Sequence, residues 1–135
     1  MDKSLIIESL DSKAITKYPV LLRPRRFGKS TFVQMLKCFY DISYKDRYEE
    51  LFKGTQIYEK HLPSHNSYHV LDFSFAGVSG FGVAGIANSF VISMKRSISD
   101  FKTRYPDFVF NPATFEQQNP SDLFTSFLTA YSQYC

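Results

Sequence analysis

The sequence predicts an α/β fold in which a parallel sheet is flanked by helices. Three observations carry that expectation. Tyr18-Pro19-Val20-Leu21-Leu22 is a short continuous apolar run, the pattern of a strand buried on both faces. Tyr68 to Phe75 reads as a second strand, with Val70, Asp72 and Ser74 on the face opposite Leu71 and Phe73. Helical spacing fills the intervals: Ser30 to Tyr40 carries Phe32, Met35, Leu36 and Phe39 on one face. Two strands are few for such a sheet, so it is expected to be incomplete. Its uncovered surface would then favour self-association.

The remaining elements follow in order. Ser4 to Leu10 is a short amphipathic stretch, expected as a helix lying over the sheet. Tyr48 to Phe52 predicts a short helix stopped by Gly54, and Lys60 to Ser67 is a turn-rich loop. A glycine-rich connection, Gly77 to Gly85, opens a helix from about Ile86 to Tyr105, with Phe90, Met94, Ile98 and Phe101 toward a core. Val109 and Phe110 predict a short extended piece. Asn119 is a candidate N-cap with Pro120 in the first helical position. The last helix, Ser121 to Tyr134, places Leu123, Phe124, Phe127, Leu128 and Tyr131 at core spacing.

At 135 residues the chain predicts one domain at most, and with 14 Phe, 9 Tyr and no Trp its core must be built largely from rings. A net charge of +3 makes no case for nucleic acid or membrane binding by the chain as a whole. No segment is long and apolar enough to span a membrane, and the N-terminus carries no signal-peptide pattern. Cys38 and Cys135 fit neither a metal spacing nor a disulfide framework, so a reducing cytoplasm is the expected compartment. Cys38 reads as a small core residue.

The chemistry concentrates in Arg23-Pro24-Arg25-Arg26-Phe27-Gly28-Lys29-Ser30-Thr31, between the first apolar run and the first long helix. Strand, tight loop, Gly-Lys-Ser and helix make the local grammar of a phosphate-binding loop, as in the sheets of P-loop NTPases. Consecutive amides in such a loop and at a helix N-terminus converge on phosphate oxygens. Gly28 lets the backbone approach, Lys29 brings charge to the β- and γ-phosphates of ATP, and the Ser30 hydroxyl ligates Mg²⁺. Thr31 falls one position late for the metal and is expected to pack in the helix. Arg25 and Arg26 either reach a phosphate or fold back on the loop, while the amides from Arg26 through Phe27 to Ser30 hold the anion. The general pattern asks for glycine where this chain has Arg23, and Pro24 removes one donor.

Leu21-Leu22-Arg23-Pro24-Arg25-Arg26-Phe27-Gly28-Lys29-Ser30 resembles the hallmark of the AAA-ATPase-like family of prokaryotic P-loop proteins, in which an arginine-rich loop replaces the first glycine. Met1-Asp2-Lys3-Ser4, Leu51-Phe52-Lys53-Gly54 with Ile57-Tyr58-Glu59-Lys60, and Val70-Leu71-Asp72-Phe73-Ser74 are similar to further family segments in the same order. The resemblance is specific over Met1 to Ser74 and architectural from there to Cys135. It implies Mg·ATP binding coupled to conformational change. It also implies a later aliphatic strand ending in acids and, in longer relatives, a restriction-endonuclease-like domain, neither of which this sequence contains. Residues 1–135 therefore read as the N-terminal part of such a domain, binding nucleotide weakly with little or no hydrolysis.

Other constellations point to ordinary structure. Gly80, Gly82 and Gly85 match G-x-G-x-x-G formally, but no acid follows where a dinucleotide ribose needs one, so a flexible connection is expected. His61, His65 and His69 are spaced by four, yet Pro63 and Asn66 break the helix a metal face requires, leaving solvated loop histidines. Glu49 and Glu50, near Lys45, Asp46 and Arg47, read as an exposed charged face. A reading from another class is a non-enzymatic module whose arginine-rich loop grips nucleic-acid backbone, and a third is a decayed remnant.

Overall fold

The computed structural model of the chain describes residues 3–12, 18–20, 22 and 28–135. Of these, 62% are helical and only 2% are in strand geometry. The five α-helices among them are α1 (Leu5–Asp11), α2 (Lys29–Tyr40), α3 (Tyr48–Phe52), α4 (Gly82–Arg104) and α5 (Pro120–Tyr134). The α/β expectation is therefore overturned: among the described residues there is no sheet, only one isolated parallel bridge between Asp41 and Tyr68. Tyr18, Val20 and Leu22 are 80% exposed or more, so the first apolar run is not a buried strand in the described residues. Self-association through an uncovered sheet face loses its basis with the sheet. No helix among the described residues is long and apolar enough to cross a membrane.

The chain divides into two compact units, 1–70 and 71–135. In the first, Ile7, Phe39, Tyr48, Phe52 and Ile57 form the core. Phe39 is fully buried at its centre, edge-on to Tyr40, Tyr48 and Phe52 with centroids 5.1 to 6.1 Å away. Four side chains hold α1 here. Ile7 enters the core, the buried Ser4 hydroxyl accepts from the Ile57 amide at 3.1 Å, and Glu8 pairs with Lys60 at 3.2 Å. Tyr40 donates to Asp11 at 3.4 Å.

The C-terminal end of α2 leaves carbonyls that the helix cannot satisfy. Asn66 answers them from 25 to 28 residues away in sequence. Its side-chain amide donates to Asp41 O at 2.8 Å and Cys38 O at 3.1 Å, and its backbone N–H donates to Phe39 O at 2.7 Å. The Tyr68 amide donates to Tyr40 O and the Ile42 amide to Tyr68 O, which is the parallel bridge. Asn66 is buried and sits at φ 47°, a left-handed conformation that Asn tolerates better than most residues.

The second unit is a helical hairpin. α4 and α5 enclose Val91, Met94, Ile98, Phe101, Phe108, Phe110, Leu123 and Phe127. Phe101 meets Phe108 and Phe127 edge-on, each at 5.2 Å. Asn119 caps α5 by accepting from the Ser121 amide at 2.9 Å, with Pro120 at the first position, as its sequence predicts. Between Tyr105 and α5 the chain alternates, Phe108 and Phe110 buried and Val109 exposed.

In the second unit, residues 71–75 are extended but form no ladder with any described residue. They lie back along α4: Asp72 pairs with Arg104 at 3.3 Å, Phe75 stacks on Phe90 at 5.0 Å, and Phe73 meets Phe124 at 6.0 Å. The alternation is real, yet it serves packing on helices. A period of two reports which faces are covered and does not say whether another strand lies alongside.

Two outcomes follow from the first unit. Replacing Asn66 with Ala strips two donors from buried carbonyls and leaves a residue poorly suited to positive φ, so stability falls by about 3 kcal/mol in urea unfolding. Asn66→Gly, which accepts the φ but lacks the amide, loses less. Burial, reinforced by Asp11, pushes the Tyr40 phenol from 10.0 up to about 12. Its contribution to stability is complete below pH 10 and drains away between pH 10 and about 12, because the unfolded chain ionises first. Unfolding midpoints of wild type should fall across that window, and Tyr40→Phe should flatten the fall.

Candidate functional site

α2 begins at the Gly-Lys-Ser sequence. Gly28 is its N-cap at φ 73° and ψ 25°, a left-handed geometry that costs a residue with a Cβ about 1–2 kcal/mol. Its carbonyl accepts the first helical bond, from the Phe32 amide at 2.9 Å. No side chain caps the helix and no acid occupies its first turn. The first amides of a helix have no internal partner, and the helix dipole adds positive potential there. Phe32 and Phe39 are buried, which fixes the helix, while Lys29, Ser30 and Thr31 are exposed in its opening turn. The geometry presents backbone donors, an ammonium group and a hydroxyl on one exposed helix end, which suits an anion.

The structure brings Gly28, Lys29, Ser30 and Thr31 together in that turn. Thr31 belongs to the helix as expected but is exposed instead of packed. Arg25, Arg26 and Phe27, with Arg23 and Pro24, lie outside the described residues. For Mg²⁺, Ser30 offers a single hydroxyl oxygen. Among the described residues no group of three or more His, Cys, Asp or Glu side chains gathers to hold a metal ion. A hard cation held by one protein oxygen needs the phosphate oxygens and waters for the rest of its shell. Ser30 thus fits an ion that arrives with its nucleotide and not a standing metal site.

Of the three histidines expected to be solvated, only His61 is exposed, while His65 and His69 are half-buried. His65 is not a solvated loop residue: its ring stacks on Tyr48 at 4.2 Å and 14°, and its Nδ1 lies 3.3 Å from Asn66 Oδ1. It thereby joins the support of α2's far end. Glu49 and Glu50 are exposed, and Glu50 takes a two-point pair from Arg47 at 3.2 Å. That contact holds the Glu50 carboxyl below its ordinary pKa and raises that of Arg47.

The Gly80-Gly82-Gly85 segment is a packed turn and not a loose connection. A Cβ on Gly80 would stand 2.6 Å from the Gly85 carbonyl carbon, so the loop lies directly on the first turn of α4. The Ser79 amide is taken up by Ser89 Oγ at 3.1 Å. Close backbone approach at Gly80 and a φ of 69° at Gly82 account for these two glycines without a dinucleotide.

Two features escaped sequence reasoning. One is Asn66, whose only signal is an Asn inside a turn-rich loop. The other is a polar cleft of about 320 Å³ between residues 72–77 and α4. Its signal is a serine at every fourth position, Ser89, Ser93 and Ser97, beside Arg96 and Asp100.

A family model, AAA-ATPase-like, described as a predicted AAA-ATPase, matches residues 1–135. No curated protein and no solved structure matches the chain.

Proposed function

The chain belongs to the AAA-ATPase-like family, and from that premise we propose that it holds the phosphates of ATP at the N-terminus of α2. Nucleotide binding is the general property the family implies. The observation that carries the site assignment is the exposed Gly28-Lys29-Ser30 turn, uncapped and free of acids. Each part has a distinct task. The amides of Lys29, Ser30 and Thr31 donate to phosphate oxygens, and the left-handed Gly28 turns the chain so that they emerge together. Lys29 offsets the β- and γ-phosphate charge. Arg25, Arg26 and Phe27, immediately upstream, complete the loop, the arginines adding positive field and the backbone adding donors.

Ser30 would offer its hydroxyl oxygen to the Mg²⁺ that accompanies the nucleotide, and the ion would supply charge neutralisation at the phosphates. Turnover requires a positioned water and the acids that orient it. Within residues 1–135 no aliphatic run ends in such acids, so for these residues by themselves we propose weak nucleotide binding with little or no hydrolysis. The unbridged Cys38 and Cys135 are in keeping with a reducing cytoplasm.

The test is titration of a fluorescent ATP analogue with Mg²⁺ against wild type and Lys29→Ala. Loss of one charge-assisted contact is expected to weaken binding by about tenfold to a hundredfold. Lys29 is exposed, so its removal should leave the circular dichroism spectrum unchanged. Equal affinity in the two proteins removes Lys29 from the site. Indifference to ATP together with salt-sensitive DNA binding would favour the arginine-rich loop as a nucleic-acid contact instead.

A further inference from the structure

The second unit carries a site of its own, built without any residue of the α2 turn. Its cleft of about 320 Å³ is walled by Ser93, Arg96, Ser97 and Asp100 of α4 and by Asp72 and Ser74 of the extended segment. That volume lies at the lower end of the range for small-molecule sites. At roughly 30 Å³ per water it equals about ten waters, which is room for about ten non-hydrogen atoms.

Ser97 is the informative wall residue. It is only 8% exposed, yet among the described residues its hydroxyl has no hydrogen-bond partner. Buried hydroxyls in folded proteins are almost always bonded. This one opens into the cleft and is reached by water there, so its partner is water or a ligand that displaces it.

The charges narrow the choice. Asp72 is occupied by Arg104, at 3.3 Å, and that pair is neutral. Arg96 and Asp100 remain, one helical turn apart on the same wall and exposed at the rim, with no ion pair to any described residue. A simple anion would be drawn to Arg96 and repelled by Asp100, and a simple cation the reverse. A molecule carrying both charges satisfies both. We propose that this cleft binds a small zwitterion of amino-acid size, with its carboxylate on Arg96, its ammonium on Asp100 and a polar atom against the Ser97 hydroxyl.

The experiment is amide NMR of the full chain titrated with glycine, serine and glutamine, beside acetate, methylamine and glycerol. A zwitterion should give saturable shifts confined to residues 72–77 and 89–100, with the single-charge and uncharged fragments at least tenfold weaker. Arg96→Gln, Asp100→Asn and Ser97→Ala should each weaken the zwitterion at least tenfold. Arg96 and Asp100 are exposed, so their variants report even if Ser97→Ala unfolds. Absence of saturable shifts, equal binding of glycerol or of the single-charge fragments, or unchanged affinity in both rim variants would overturn the proposal. That last result would mean the two rim charges serve only each other.

Discussion

The side-chain amide of Asn66 is the contact on which the first unit depends. α2 ends in carbonyls already removed from water, and a buried carbonyl without a donor is among the costlier faults a small fold can carry. Asn66 supplies two donors from its side chain and one from its backbone, all within 3.1 Å. His65 stacks on Tyr48 beside it, and the Asp41–Tyr68 bridge continues the same junction. A stretch that looks like a connecting loop is thus the fixed end of the principal helix. The other end of α2, about 18 Å away along twelve residues, can then be left exposed for chemistry.

Rings do the work a sheet would otherwise do. Each unit closes around a fully buried phenylalanine, Phe39 in the first and, in the second, Phe101 with the equally buried Phe108 and Phe110 beside it. Phe39 and Phe101 are surrounded mainly by edge-on neighbours, the arrangement in which the positive edge of one ring meets the negative face of another. Helices of five to twelve residues are too short to be stable alone, and their order comes from these contacts. The extended residues 71–75 show the same economy. Lacking a strand to pair with, they bury Leu71 and Phe73 against the second core and anchor Asp72 on Arg104.

What the sequence discloses follows from how local each signal is. α2, α3 and α5 are legible to within a residue or so, because their apolar spacing, Gly54 and the Asn119–Pro120 cap all act within a turn. The start of α4 is missed by four residues, since glycine at Gly82 and Gly85 reads as loop. The sheet is missed for a different reason. A continuous apolar run and an alternating one are compatible with strands, but pairing is a property of two segments, and neither pattern contains its partner. The candidate site is half legible: Gly-Lys-Ser marks the helix start directly. Asn66 and the Ser97 cleft depend on residues brought together from far apart, or on a face defined only once α4 has packed.

The asymmetry of α2 bears on how ligand and fold are connected. Its last turn is held by hydrogen bonds within the protein, whereas its first turn is an exposed helix end with no side-chain cap and no acid. An anion seated there completes the helix, satisfying donors that water otherwise serves. Whatever binds only the folded turn stabilises it by mass action, and ligand at ten times its Kd contributes about 1.4 kcal/mol. Because the opposite end is already fixed by Asn66, that stabilisation should be confined largely to the opening turn of α2. On the proposed reading, a polyphosphate with several oxygens would engage more of these amides than a single phosphate, and preference for a triphosphate would follow from the number of contacts made.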